Sequence, residues 1–218
     1  MKTGRWQQVT ESQYVGELEA LNYLRERLPD TDPFYAWANF EFLAEDGSIN
    51  EVDLLVISLY KIFLVEIKSW AGSLTGDAGT WTRNVSGRQI MDENPLLLAN
   101  RKAKKLKSLL QRQAALKKCG VPYIEAVVFL SGQAFQCHLS KAGRSSIYLS
   151  KEAEKGGYPD IIDVLSGKSV AEQKGPNFRR IDRIISKAIV RSLEQAGVRA
   201  SQRHRLVGDY ELNRLLLE

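Results

Sequence analysis

The sequence predicts an α/β fold in which a mixed sheet is flanked by helices and followed by a C-terminal helical extension. Three observations predict it. The chain opens with an amphipathic helical pattern, three short apolar runs follow closely, and a long helical pattern then leads to another apolar run. This order of elements is typical of a sheet that is covered by helices on its faces.

The first helix is predicted between Ser12 and Leu28, where leucines recur at spacings of three and four residues before Pro29. Glu17 falls inside this apolar stripe, so its carboxylate is expected to face the sheet. Two interpretations are open for Glu17. It belongs to a polar site at the sheet, or it lies at the edge of the stripe and pairs with a basic residue.

Three strands are predicted next, over residues 34–43, 51–58 and 61–68, because these runs are rich in β-branched and aromatic residues. The links between them are short and carry turn residues, which predicts consecutive antiparallel hairpins. Loop signals, chiefly glycines, dominate residues 71–94, with a possible short strand at Trp81.

A long helix is predicted from Asn94 and Pro95 to about Lys118. A strand over 123–131 and a possible further strand over 145–150 can pair parallel to the third strand. Helical patterns resume after Gly156, chiefly over 176–196.

Charge is distributed unevenly along the chain, although the formal net charge is only +5. Residues 1–100 hold eight basic and fifteen acidic residues, whereas residues 101–118 hold eight basic residues and no acid. An acidic site beside basic surface suits a metal-dependent enzyme that acts on phosphodiesters, and charged faces in solvent give the same count.

Three charged residues interrupt apolar strands and form the candidate site. Glu66 and Lys68 share one face of their strand, about 7 Å apart along it, and a hairpin can bring Asp53 opposite Glu66. Charges in such positions are rarely buried without a partner or a metal. Asp53, Glu66 and the backbone carbonyl of Ile67 are the predicted ligands of Mg²⁺ or Mn²⁺, and Lys68 is placed to orient water or offset charge on a phosphate.

The long helix carries a second candidate surface. Its apolar residues share one face, and four basic residues lie largely away from that face: Arg101, Lys104, Lys105 and Arg112. One interpretation is a ridge that binds the phosphates of a nucleic acid, and the other is an ordinary solvent-exposed face.

Several motifs resemble the nuclease-related domain, NERD, of the PD-(D/E)xK nuclease superfamily. They span residues 12–131 and comprise Gly16-Glu17, Glu51-Val52-Asp53, Val65-Glu66-Ile67-Lys68-Ser69-Trp70 with Gly72, Trp81, and Asn94-Pro95. The resemblance implies a restriction-endonuclease-like fold and the catalytic set Glu17, Asp53, Glu66 and Lys68. Val52 replaces the proline of the superfamily's name, and Leu98 stands where many such domains have a glutamine.

The last residues resemble the opening of a protein-kinase domain, as in bacterial phage-defence proteins of the BREX or phage-growth-limitation type that join NERD to a kinase. The expected division is therefore a nuclease-like domain over 1–155, a basic helical extension over 156–200, and a linker or kinase start over 201–218. The expected partners are DNA or RNA, the kinase in cis, and other components of the defence system.

No apolar run is long enough for a membrane helix, and the N-terminus lacks the apolar core of a secretory signal, so a cytoplasmic protein without membrane contact is expected. The expected function is that of a metal-dependent nuclease. The alternative is a catalytically weak module that binds nucleic acid or protein and regulates the attached kinase.

Overall fold

A computed structural model of the chain describes residues 1–2, 4–77, 79–117, 119–168 and 180–200. Within these ranges it contains two mixed sheets and four helices. The helices are α1 (Val15–Arg27), α2 (Pro95–Gln111), α3 (Ile161–Leu165) and α4 (Arg183–Gln195). The larger sheet contains β1 (Trp6–Gln8), β2 (Tyr35–Leu43), β3 (Ile49–Ile57), β4 (Ile62–Lys68), β8 (Ile124–Leu130), β10 (Ile147–Leu149) and β11 (Arg199–Ala200). The smaller sheet contains β5 (Ser73–Gly76), β6 (Thr80–Val85), β7 (Arg88–Glu93) and β9 (Gln136–Cys137).

The larger sheet has the order β1-β2-β3-β4-β8-β10, with β11 also paired to β2. The strands β2, β3 and β4 form two consecutive antiparallel hairpins, as predicted. The strands β8 and β10 then continue the sheet parallel to β4, which confirms the predicted parallel pairing with the third strand. The α/β class is therefore confirmed, and the carboxyl ends of three parallel strands meet at one edge.

Both faces of this sheet are covered by helices. One core contains α2 and α4 together with residues of β2, β3 and β4, and the other contains α1 and α3. The predicted C-terminal helix is present as α4, which places Ile185, Ile189 and Leu193 in the same core as α2. Residues 169–179 and 201–218 lie outside the described ranges, and the domain boundaries at 155 and 200 stay predictions.

The long helix begins as predicted but ends earlier. Asn94 caps it by accepting a hydrogen bond from the backbone N–H of Leu96 at 2.9 Å, and Pro95 occupies its first turn. The helix stops at Gln111 instead of near Lys118, and a short 3-10 turn follows. The change of direction buries Leu116 in the α2-side core.

The prediction of loops over most of residues 71–94 is wrong, because this segment forms β5, β6 and β7 of the smaller sheet. Leu74 and Trp81 are fully buried in a third core beneath that sheet. Most of β7 is exposed, so its residues carry no regular apolar alternation. Burial of a few residues stabilises a sheet that the local pattern does not indicate.

Across the described ranges, no helix is both long and apolar enough to span a bilayer.

Candidate active site

The candidate site lies where β3 and β4 separate. The two strands are paired only as far as Leu54 opposite Val65. Beyond that point β4 continues beside β8, while β3 continues beside β2. The Asp53 carboxylate lies in the resulting fork, where its Oδ2 atom accepts a hydrogen bond from the backbone N–H of Ile67 at 2.7 Å. The side chain thus takes the place of a missing strand partner and is held next to Glu66.

An unusual residue, Asn39, lies on β2 opposite Asp53 of β3. Its two neighbours in the chain, Ala38 and Phe40, pair with Leu54 and Val52 of β3. Its φ of 52° falls in the left-handed region, which is uncommon for a residue other than glycine. Ala38 packs in the α1-side core and Phe40 in the α2-side core, so the usual alternation is broken at this residue. Asn39 is buried, and its amide makes no hydrogen bond with another described residue. The left-handed backbone of Asn39 therefore lies directly beside Asp53.

Glu66 is held by two lysines. The Nζ atom of Lys68 lies 2.9 Å from Oε1, and the Nζ atom of Lys102 lies 2.9 Å from Oε2. Lys68 belongs to the same strand and is partly exposed, whereas Lys102 comes from α2 and is buried. Each oxygen of the carboxylate thus faces an ammonium group.

Glu17 reaches the site from the first turn of α1, and it is buried as its place in the apolar stripe predicted. The approach depends on Gly16, because a Cβ atom on that residue would lie 2.2 Å from the Oγ atom of Ser69. The absence of a side chain lets α1 contact the segment directly after Lys68. The negative charge of Glu17 contributes to the raised pKa of Asp53.

The two central carboxylates have opposite electrostatic environments. Burial raises the pKa of Asp53 to about 7, and the charge of Glu66 adds to this effect, while Lys102 and the Ile67 amide oppose it. Burial also acts to raise the pKa of Glu66, but Lys102 and Lys68 outweigh it and lower that pKa below its usual value. Glu66 is therefore ionised at neutral pH, whereas Asp53 exchanges its proton near neutrality.

The donor set fits a hard cation that keeps most of its water. Among the described residues, no three His, Cys, Asp or Glu side chains are grouped closely enough to hold an ion. Asp53, Glu66 and the carbonyl of Ile67 offer oxygen only, which suits Mg²⁺ or Mn²⁺. In an extended strand the N–H and C=O of one residue point to the same edge, so the Ile67 carbonyl faces the edge where Asp53 lies.

The predicted basic ridge on α2 is partly neutralised. Arg101 and Lys104 are exposed and form no ion pair with the described residues. Lys105 instead pairs with Asp46 at 2.9 Å, and Arg112 pairs with Glu45 at 2.5 Å. Both acids belong to the turn between β2 and β3. Of the four basic side chains that a nucleic acid would contact on this face, two form no ion pair with the described residues and two are already paired with an acid.

Lys102 is the site residue that the sequence pattern did not single out. It was counted only among the eight basic residues of 101–118 and was not assigned to either face of the helix. A signal was present, because Lys102 is three residues after Ala99 and four before Leu106, both fully buried. It interrupts an apolar stripe in the same way as Glu17.

A separate cavity of about 840 Å³ lies between α1 and the ends of β8 and β10. Its lining includes Tyr23, Phe129 and Arg144, but not Asp53 or Glu66. The fork between β3 and β4 that holds Asp53 and Glu66, called the acidic fork below, is therefore distinct from this cavity.

Comparison with known proteins places these residues in a family. The model of the nuclease-related domain matches residues 12–131, more than half of the chain. The chain is also similar to the N-terminal part of Probable kinase PglW from Streptomyces coelicolor, with 37% identity over 215 residues. That alignment covers 98% of this chain but 13% of the relative. No solved structure matches. Since the matched segment includes Glu17, Asp53, Glu66, Lys68 and Lys102, the chain that carries this site belongs to the nuclease-related domain family, NERD.

Proposed function

We propose that this chain is a divalent-metal-dependent nuclease-like domain that acts on DNA and has a restriction-endonuclease-like architecture. The observation that carries the proposal is the fixed position of Asp53 in the strand fork, 2.7 Å from the Ile67 amide and beside Glu66. Membership in the NERD family supports it. The ion pairs of Glu66 with the two lysines do not need a second carboxylate such as Asp53, whereas a site for a divalent cation does.

Each side chain then has a distinct role. Asp53, Glu66 and the Ile67 carbonyl would hold Mg²⁺ or Mn²⁺, which when bound polarises a phosphodiester and makes water more acidic. Lys68 has the more exposed of the two ammonium groups, 26% against 10% for Lys102. It is therefore the one placed to contact a phosphate oxygen on which charge develops. Glu17 holds a water molecule at the α1 side of the fork.

A kinase domain of a phage-defence system is proposed to be attached to this chain. This rests on the relative, whose name is that of a probable kinase and whose N-terminal part aligns with this chain. The chain spans 13% of that relative, which leaves room for a kinase domain in cis. Other components of the defence system are proposed as further partners.

Plasmid cleavage in the presence of Mg²⁺ or Mn²⁺ tests the nuclease proposal. Wild type should cut or nick plasmid DNA, and Asp53→Asn should remove metal-dependent cleavage without loss of folded structure. A matched comparison is Glu17→Gln beside Glu19→Gln, because both residues lie on α1 but Glu19 is exposed. Cleavage that persists unchanged in a Glu66→Ala, Lys68→Ala double variant would overturn the proposal.

A second candidate function is a catalytically weak module that binds nucleic acid or protein and regulates the kinase. The observation that favours it is the pair of lysines on Glu66, which balances that carboxylate without any metal. Leu98, at the position where related domains often have glutamine, is also exposed and offers no polar contact. This function requires DNA binding that weakens with salt but no turnover, so absent or salt-insensitive binding would contradict its nucleic-acid form.

A further inference from the structure

The acidic fork gathers more charges than a metal site requires. The negative charges of Glu17 and Glu66 both act on Asp53, and Glu66 is paired with the ammonium groups of Lys68 and Lys102. The three acids and Lys102 are all buried. Charge in such a place is stable only when it is closely balanced, because little water is present to screen it.

Lys102 differs from Lys68 in that its ammonium group cannot easily move into solvent. Its side chain is only 10% exposed, and it extends from a helix whose neighbouring residues Ala99 and Ala103 are packed in the core. The ammonium already occupies the Oε2 atom of Glu66 at 2.9 Å. A cation that binds Glu66 therefore has to displace this contact or bind beside a fixed positive charge.

The charge count changes sign when a cation enters. A bound cation requires Asp53 in its ionised form. With all five groups ionised the cluster has one net negative charge, and a divalent cation alone would leave it with one net positive charge. A phosphodiester brings one negative charge and restores neutrality. Metal alone thus leaves one uncompensated positive charge in this buried cluster, whereas metal together with a phosphodiester is balanced.

We propose that Lys102 makes cation binding at the Asp53–Glu66 site conditional on a nucleic-acid phosphodiester. This inference rests on the proposed function. In the free protein Lys102 serves as the internal counter-ion of Glu66, so the site binds a divalent cation weakly. Phosphodiester and cation then bind with positive coupling, and by reciprocity each raises the affinity of the other by the same factor.

Calorimetric titration with Mn²⁺ tests this coupling without relying on cleavage. Wild type is titrated alone and in complex with a short duplex DNA that carries phosphorothioate linkages. The DNA should raise the affinity for Mn²⁺ by about tenfold or more. Lys102→Met should bind Mn²⁺ about tenfold more tightly than wild type in the absence of DNA and should gain little when DNA is added.

Three further variants separate charge from packing. Lys102→Arg keeps the positive charge and should behave like wild type. Lys102→Gln removes the charge but retains a polar side chain, so it should repeat the result of Lys102→Met and replaces that variant if it does not fold. Lys107→Met, on the same helix but partly exposed, should leave both affinities unchanged.

Two negative results have different meanings. If wild type binds Mn²⁺ and cuts DNA, but Lys102→Met and Lys102→Gln show wild-type affinity and coupling, the role of Lys102 is wrong while the nuclease function stands. If no variant binds Mn²⁺ with or without DNA, the proposed metal-dependent function is itself wrong, and this inference is wrong with it.

Discussion

Lys102 of α2 and Glu66 of β4 meet with 2.9 Å between Nζ and Oε2, and both side chains are at most 10% exposed. The contact joins the long helix to the end of the strand that carries the candidate catalytic residues. Removing one partner of such a buried pair leaves the other charge without compensation, which costs more than the pair itself contributes.

Glu66→Gln should therefore destabilise the protein by about 3 kcal/mol, since it leaves the buried ammonium of Lys102 opposite a neutral amide. Urea denaturation followed by circular dichroism measures the change. The double variant Glu66→Gln, Lys102→Met should be more stable than Glu66→Gln alone. Additive losses in this double-mutant cycle would show that the two residues are not coupled.

The raised pKa of Asp53 predicts a pH dependence of stability in metal-free buffer. The native state keeps the Asp53 proton up to about pH 7, whereas the ordinary value is 3.8. Between these pH values the folded protein binds more protons than the unfolded chain, so the contribution of Asp53 to stability falls as pH rises.

Asp53→Asn should remove this contribution. Thermal melts at intervals between pH 4 and pH 8 should show the variant gaining stability relative to wild type as pH rises toward about 7. A constant difference in melting temperature across this range would contradict the assignment.

Gly16→Ala should destabilise the protein by about 1–3 kcal/mol, because the added Cβ atom would lie 2.2 Å from Oγ and 2.6 Å from Cβ of Ser69. Ser69→Gly removes both of these atoms and should restore most of the stability. Gly79→Ala is the matched control, since its added Cβ would come no closer than 3.6 Å to the nearest atom. Failure of Ser69→Gly to rescue the variant would mean that this contact does not position α1.

The four basic residues of α2 should contribute unequally to DNA binding. Arg101→Ala and Lys104→Ala should each reduce the slope of log affinity against log salt by about 1. Lys105→Ala should have a smaller effect, because Lys105 is paired with Asp46. Fluorescence anisotropy with a labelled duplex at several salt concentrations measures these slopes.

The ion pair of Arg112 gives a converse test. Glu45→Gln removes the acidic partner of Arg112 and should strengthen DNA binding and steepen its salt dependence. Equal effects of the three alanine substitutions, together with no effect of Glu45→Gln, would mean that the turn between β2 and β3 does not modulate the ridge.

Local patterns were sufficient to predict most helices and strands of the larger sheet. The alternation along β4 placed Glu66 and Lys68 on one side, and they are in contact. The stripe of α1 placed Glu17 inward, and it is buried. These predictions succeed because the helical and strand periods determine which side chains share a face.

The possible short strand at Trp81 is present as β6, but the sequence did not predict the other strands of the smaller sheet. Its strands are short, and the burial of Leu74 and Trp81 depends on residues far along the chain, such as Phe135. The left-handed conformation of Asn39 also has no local signal in the sequence. At this residue the side chains of β2 switch from one face of the sheet to the other, and those of the neighbouring strand β3 switch at the same place.

Residue spacing within single elements was enough to predict that Asp53, Glu66 and Lys68 interrupt buried strands and that Glu17 faces inward. The separation of β3 and β4 at Asp53 and the contact of Lys102 with Glu66 became visible only in the folded chain. Both depend on the packing of segments that are distant in the sequence, and no local period of the sequence reports such packing.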